Sequence, residues 1–176
     1  GGILHAFADP LPRALLLDRY SVVSEKEERL KSLADPAFRP RERVILETEP
    51  NPKPVEGGAQ GTAQVRDETT DSFVVDVVTP GPAILLITDS YASDWHATPA
   101  VSGPQAQYEI LPANHALRAI PVVAGEHHIR LEYAPRSASW GLAISIVSVS
   151  VFLMAWIPLH LRAVPGSTFG GTRRGD

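Results

Sequence analysis

The sequence predicts a mainly β protein: an antiparallel β-sandwich of the immunoglobulin or jelly-roll kind, preceded by a strand–helix–strand unit and followed by one C-terminal transmembrane helix. Three observations lead there. Between residues 61 and 136, short apolar and β-branched runs recur at roughly 8–12-residue spacing between turn signals. The 16 prolines and 13 glycines suit a chain with many turns. Ser137–Ile157 carries no Asp, Glu, Lys or Arg, and about 20 apolar residues are enough to cross a bilayer core of roughly 30 Å.

Residues 1–10 read as a lead-in. Residues 11–49 form the strand–helix–strand unit. Leu11–Val23 is its first strand, rich in Leu and ending in β-branched residues. Ser24-Glu25-Lys26-Glu27 has the pattern of a capping box, in which a hydroxyl and a carboxylate satisfy orphan amides reciprocally. The helix runs to about Ala34 with Leu30 and Leu33 on one face, and Asp35-Pro36 ends it. Arg43–Glu49 is the second strand. Residues 50–60 hold three prolines and two glycines and read as a linker.

The sandwich, 61–136, takes strands at about 62–68, 72–79, 83–89, 94–99, 106–111, 116–123 and 127–134. Pro80-Gly81-Pro82, Ser102-Gly103-Pro104, Pro112-Ala113-Asn114 and Ala124-Gly125-Glu126 punctuate them. Ile129-Arg130-Leu131-Glu132-Tyr133 alternates as a half-buried strand does.

Residues 137–161 are the membrane span and 162–176 a cytoplasmic tail. Trp140 and Trp156 bracket the span about 24 Å apart along a helix, near the spacing of interfacial aromatic belts. Arg136 and Arg162 flank it as interface anchors. Gly141, Ser145 and Ser148 share one face, where a second helix can approach closely. Ser145, Ser148 and Ser150 are tolerable in lipid because a hydroxyl can bond a carbonyl one turn back. Arg162, Arg173 and Arg174 against Asp176 place the tail in the cytoplasm and the sandwich outside it.

The net charge of −4 argues against nucleic acid as a partner. The absence of cysteine removes disulfides, thiolate metal sites and cysteine nucleophiles. The chain starts Gly1-Gly2 and its one methionine is Met154, so a processed or truncated product is expected. No phosphate-cradling glycine loop, nucleophile elbow or helical histidine pair is present. No catalytic residue, cofactor or metal ligand is therefore assigned. His127 and His128 are adjacent on a strand, so they face opposite ways and cannot chelate together. Asp89, Asp94 and Glu109 are acids at strand ends, which read as turn formers before they read as a glycosidase pair. Tyr91, Trp95, Asn114 and Arg118 are the candidate ligand or partner surface. Two aromatics beside polar turn residues can floor a sugar or headgroup site, and an arginine can clamp an acid.

Ser90-Tyr91, Trp95, Gly103, Asn114, Leu117-Arg118-Ala119, Ala124-Gly125, His127, Tyr133-Ala134-Pro135-Arg136-Ser137 and Gly141, followed by a span, resemble the C-terminal end of YfhO-like bacterial membrane proteins. Leu11-Pro12-Arg13-Ala14 and Leu33-Ala34-Asp35-Pro36-Ala37-Phe38 resemble how that region begins. The family is similar to polytopic glycosyltransferases of the GT-C type that draw sugars from polyprenyl-phosphate carriers. The resemblance implies an inner-membrane location and a glycan or lipid-linked sugar as partner. The family's catalytic acid lies in an early loop that no position here matches, and Ser93-Asp94 stands where the family has a Pro-Gly turn before the tryptophan.

The expectation is a non-catalytic, single-span subunit whose outer domain docks on a larger membrane complex, respiratory, photosynthetic or envelope-synthesising. The alternative is a glycan-binding module of a YfhO-like glycosyltransferase.

Overall fold

The computed structural model describes residues 10–135, 144–154 and Trp156. The chain divides into two units at Ala134 and Pro135. The first is mainly β, with two sheets that are mostly antiparallel.

Its strands are β1 (Ala14–Leu17), β2 (Arg19–Val22), β3 (Arg43–Leu46), β4 (Thr62–Arg66), β5 (Ser72–Thr79), β6 (Ala83–Ile87), β7 (Trp95–Pro99), β8 (Leu111–Ala113), β9 (Leu117–Val122) and β10 (Gly125–Tyr133), with one helix, α1 (Lys26–Ala34). One sheet has the order β1-β6-β9-β8-β3-β2, the other β4-β5-β10-β7. Among the described residues only β2 and β3 pair in parallel, as the strands of a crossover through α1 do.

The first predicted strand is split at Asp18. Its first half pairs with β6 and its second half with β3. These are the two edges of the six-stranded sheet, so its pairing closes into a ring through one residue. Leu17, Val44, Leu46, Ile84, Leu86, Leu111, Ala113 and Ala119 form the cluster on one face of that ring. The opposite parity, with Ala14, Leu85, Ile87, Ile120 and Val122, meets Phe73, Val75, Val77, Ile129 and Leu131 of the four-stranded sheet in a shared core. Strand β6 feeds both clusters, which is why all five of its residues are buried and its sequence is apolar without alternation. β5 has one face covered and alternates.

Three local expectations fail. There is no capping box: Glu25 is the N-cap without a side-chain bond, and the Ser24 hydroxyl donates to Glu47 O at 3.1 Å. Leu30 is exposed, and the buried residue of α1 is Arg29, tied to Val23 O and Ser24 O at 2.9 Å and to Glu47 at 2.8 Å. The strand expected at 106–111 is one isolated bridge, Tyr108 to Ala97, and pairing moves to Leu111–Ala113. The turn falls instead on Asn114 and His115, both at positive φ, where asparagine is readily accommodated.

Residues 50–60 are packed rather than free. Gly57 N donates to Asp18 Oδ2 at 2.8 Å and Val55 N to Pro82 O at 3.0 Å. Gly58 is buried, and a Cβ there would lie 2.2 Å from Pro82 O.

In the second unit, residues 144–154 are helical, as is Trp156. Among the described residues no helix is long and apolar enough to cross a membrane. Arg136, Trp140, Gly141 and Arg162, with the ends of the expected 137–161 span, lie outside the described residues. Ser148 and Ser150 turn their hydroxyls back to Ile144 O and Ile146 O at 2.9 and 2.8 Å.

Candidate functional site

Strand parity builds the site. Arg118 shares parity with Ile120 and Val122 on β9, so it points between the sheets at the end of their shared core. Tyr133 shares parity with Ile129 and Leu131 on β10, and its register partner is Trp95, the first residue of β7. The loop 88–94 closes this end. Tyr91 N donates to Ala116 O at 2.7 Å, and Ala134 N to Asp94 O at 2.9 Å.

Arg118 is 3% exposed. Its guanidinium carbon lies 4.0 Å from the Trp95 ring centre, and its Nε donates to Ser90 O at 2.9 Å. Trp95 is tilted against Phe73 and Tyr133, at 5.7 and 5.5 Å between ring centres. Asp89 lies 3.5 Å from Arg118 Nη2, but its main partner is Arg13, whose Nε and Nη2 donate to it at 2.9–3.1 Å. Arg13 also pairs with Glu68 at 2.6 Å and lies 4.6 Å from the Phe73 ring centre. Burial pulls the Arg118 guanidinium below its ordinary pKa, Asp89 works against that, and Arg13 adds to it. Hydrogen bonding to Asp89 raises the pKa of Arg13. Two cations share Asp89, and Glu68 supplies the second negative charge. The Arg118 Nη1 is buried with no hydrogen-bond partner.

Over this platform lies an open hollow of about 360 Å³, walled by Tyr91, Trp95 and Tyr133 with Arg118, Ser90 and Asp71. The structure therefore brings together three of the four expected surface residues: Tyr91, Trp95 and Arg118. Tyr91 is exposed, Trp95 half-buried, and Arg118 lies behind them. Asn114 does not line the hollow; its Oδ1 accepts from Ile45 N at 2.8 Å and its own N donates to Ile45 O. Asp89 is engaged by arginine on both oxygens, and Glu109 is exposed away from the hollow's lining. Asp89 is thus an ion-pair hub rather than the turn former expected.

His127 and His128 do face opposite ways. His127 is fully buried between Tyr108 OH at 2.8 Å and Val123 O at 2.9 Å. His128 is half-buried beside Asp76 at 2.6 Å. Among the described residues no group of three His, Asp or Glu side chains is placed to hold a metal ion.

No protein-family model matches the chain, nor does any curated protein or solved structure. The reading of the site therefore rests on its own geometry. Arg13, Phe73 and Tyr133 are not among the site residues expected from the sequence, where Arg13 and Tyr133 enter only through the motifs of the resemblance and the alternation of 129–133. Tyr133 carries a signal, being the next inward position after Ile129 and Leu131. Arg13 carries none, because its partner lies 76 positions away.

Proposed function

We propose that the chain is a non-catalytic, single-span subunit of the bacterial inner membrane. Its extracytoplasmic domain, a β-sandwich in this reading, docks onto or stabilises a larger membrane complex. The observation that carries it is the helical segment 144–154. Ile144, Ile146, Val147, Val149, Val151 and Phe152 point around its whole circumference, each more than half exposed. Ser148 and Ser150 bond within the helix, so those hydroxyls need no water. Lipid is the solvent that such a segment fits. The test is carbonate washing of membranes from cells making the full chain. The protein stays in the pellet, and Val149→Arg, at a cost of roughly 3 kcal/mol in hydrocarbon, shifts part of it to the supernatant. Wild-type protein in the supernatant overturns the reading. Docking is checked by purification in mild detergent, where migration as a lone species counts against it.

A second reading has its own observation. Tyr91, Trp95 and Tyr133 wall a hollow with the buried Arg118 donor behind them and Asp71 at its lining. Aromatic faces with a few polar groups suit a neutral, hydroxylated ligand such as a glycan. The resemblance to YfhO-like proteins supports this alternative. Saturation-transfer NMR with neutral oligosaccharides tests it: signal that is lost in Trp95→Leu supports the reading, and no transfer rejects it.

A further inference from the structure

Arg19 and Arg43 are register partners on the parallel strands β2 and β3. Parallel neighbours stand about 4.8 Å apart and point to the same side, so two cations are held next to each other. Both are exposed. Among the described residues neither has an ion pair or side-chain hydrogen bond, whereas Arg13, Arg29, Arg66 and Arg118 all have acids. Like charges placed opposite each other in a sheet are unfavourable. The connection after α1 folds over this face and makes a cleft of about 300 Å³, lined by both arginines with Arg39, Ser21 and Ser32. Two carboxylates also reach the lining. Asp35 is committed to Ala37 N at 2.8 Å, and Arg39 donates to Pro36 O at 2.6 Å, so both are tied to the turn. Glu42 is exposed. The floor that remains is an arginine pair with no ion pair among the described residues, beside the Ser21 hydroxyl.

We propose that this cleft binds a phosphate group. Two neighbouring guanidinium forks present donors to a tetrahedral oxyanion, and the hydroxyl of Ser21 adds one more, while the Ser32 hydroxyl donates to Glu28 O at 2.9 Å. A bound anion would relieve the repulsion that the strand register imposes. This site is separate from the Arg118 hollow and does not depend on the membrane reading.

The source of the phosphate, free anion or lipid headgroup, is distinguished by two probes. Full-length protein in a neutral detergent is titrated calorimetrically with inorganic phosphate and with dihexanoyl phosphatidylglycerol. Saturable binding of either, weakened at least tenfold in Arg19→Gln/Arg43→Gln, supports the site. Tighter binding of the phosphatidylglycerol assigns it to a headgroup, and tighter binding of inorganic phosphate to the free anion. Both arginines are exposed, so the double variant folds, and its melting temperature is expected at or above that of the wild type. No saturable binding of either probe, or equal binding by wild type and double variant, overturns the proposal.

Discussion

The Arg118 guanidinium carbon lies over Trp95, 4.0 Å from the centre of its ring, and the side chain is almost fully buried at the end of the inter-sheet core. A desolvated cation over an indole is worth about 2 kcal/mol, more than an exposed one, because water does not compete for the charge. Arg118→Ala also strips a counter-charge from Asp89, although Arg13 remains there. The expected loss is roughly 3 kcal/mol. Trp95→Leu is expected to cost a similar amount, since it removes ring contacts to Phe73 and Tyr133 as well. Urea unfolding followed by circular dichroism gives each value. The double variant is expected to lose about 1–2 kcal/mol less than the sum. Strict additivity would mean that the two side chains do not stabilise each other.

Arg29 and Leu30 invert the usual expectation for neighbours on a helix. Arg29 is 5% exposed and holds Val23 O, Ser24 O and Glu47, so it fastens α1 to both strands that flank it. Leu30 is 43% exposed. Arg29→Ala leaves two carbonyls and a carboxylate without their donor, at a cost of roughly 3 kcal/mol. Leu30→Ala is expected to cost less than about 0.5 kcal/mol. The same urea series decides, and equal losses would return the leucine to the core.

This pair shows where the sequence is legible and where it is not. Strands β5, β6, β7, β9 and β10 are readable because alternation, apolar runs and Pro-Gly turns act locally. Ser72–Thr79 is recovered to the residue. The ring closure at Asp18 is not readable, because Ala14–Val22 reads as one strand and nothing local tells that its halves pair with different neighbours. Strand β8 is missed because it contains Pro112 and is held by partners on β9 and β3 rather than by its own propensity. At the site, Tyr91 and Trp95 are close in sequence, so one short segment shows both. The Arg13–Asp89 pair exists only once the sheet is assembled.

Gly58 is required by a close approach rather than by its own backbone angle. A Cβ would sit 2.2 Å from Pro82 O, which is backbone and cannot swing aside. Gly58→Ala is expected to force a shift of the 55–61 segment against the β5–β6 turn and to cost roughly 2–3 kcal/mol. Gly103 is the control. A Cβ there meets nothing nearer than 3.5 Å, so Gly103→Ala is expected within about 0.5 kcal/mol of wild type. Thermal melts of the two variants compare them directly. A neutral Gly58→Ala would show that residues 50–60 are a loose tether after all.

His127 contributes a pH-dependent part of the stability. Val123 O can only accept, so His127 Nε2 carries the proton and donates to it, while Nδ1 accepts from the Tyr108 hydroxyl. Burial pushes the tyrosine up, which keeps it a donor, and burial pushes the histidine below its ordinary 6.5. The folded state therefore prefers neutral imidazole, and the unfolded chain takes up a proton first as pH falls. The contribution is fully present above about pH 6.5 and is lost as the pH falls from there through the lower folded value. Protonation would also turn Nδ1 into a donor facing a hydroxyl that, among the described residues, has no other acceptor. The urea midpoint of the wild type is expected to drop more steeply from pH 7 to pH 5 than that of His127→Gln, in which a side-chain amide can still donate to Val123 O. Imidazole chemical shifts read the same group without a substitution. A His127 ring that titrates at or above 6.5 in the folded protein would mean that the buried hydrogen bonds favour the cation, and the sign of the pH effect would reverse.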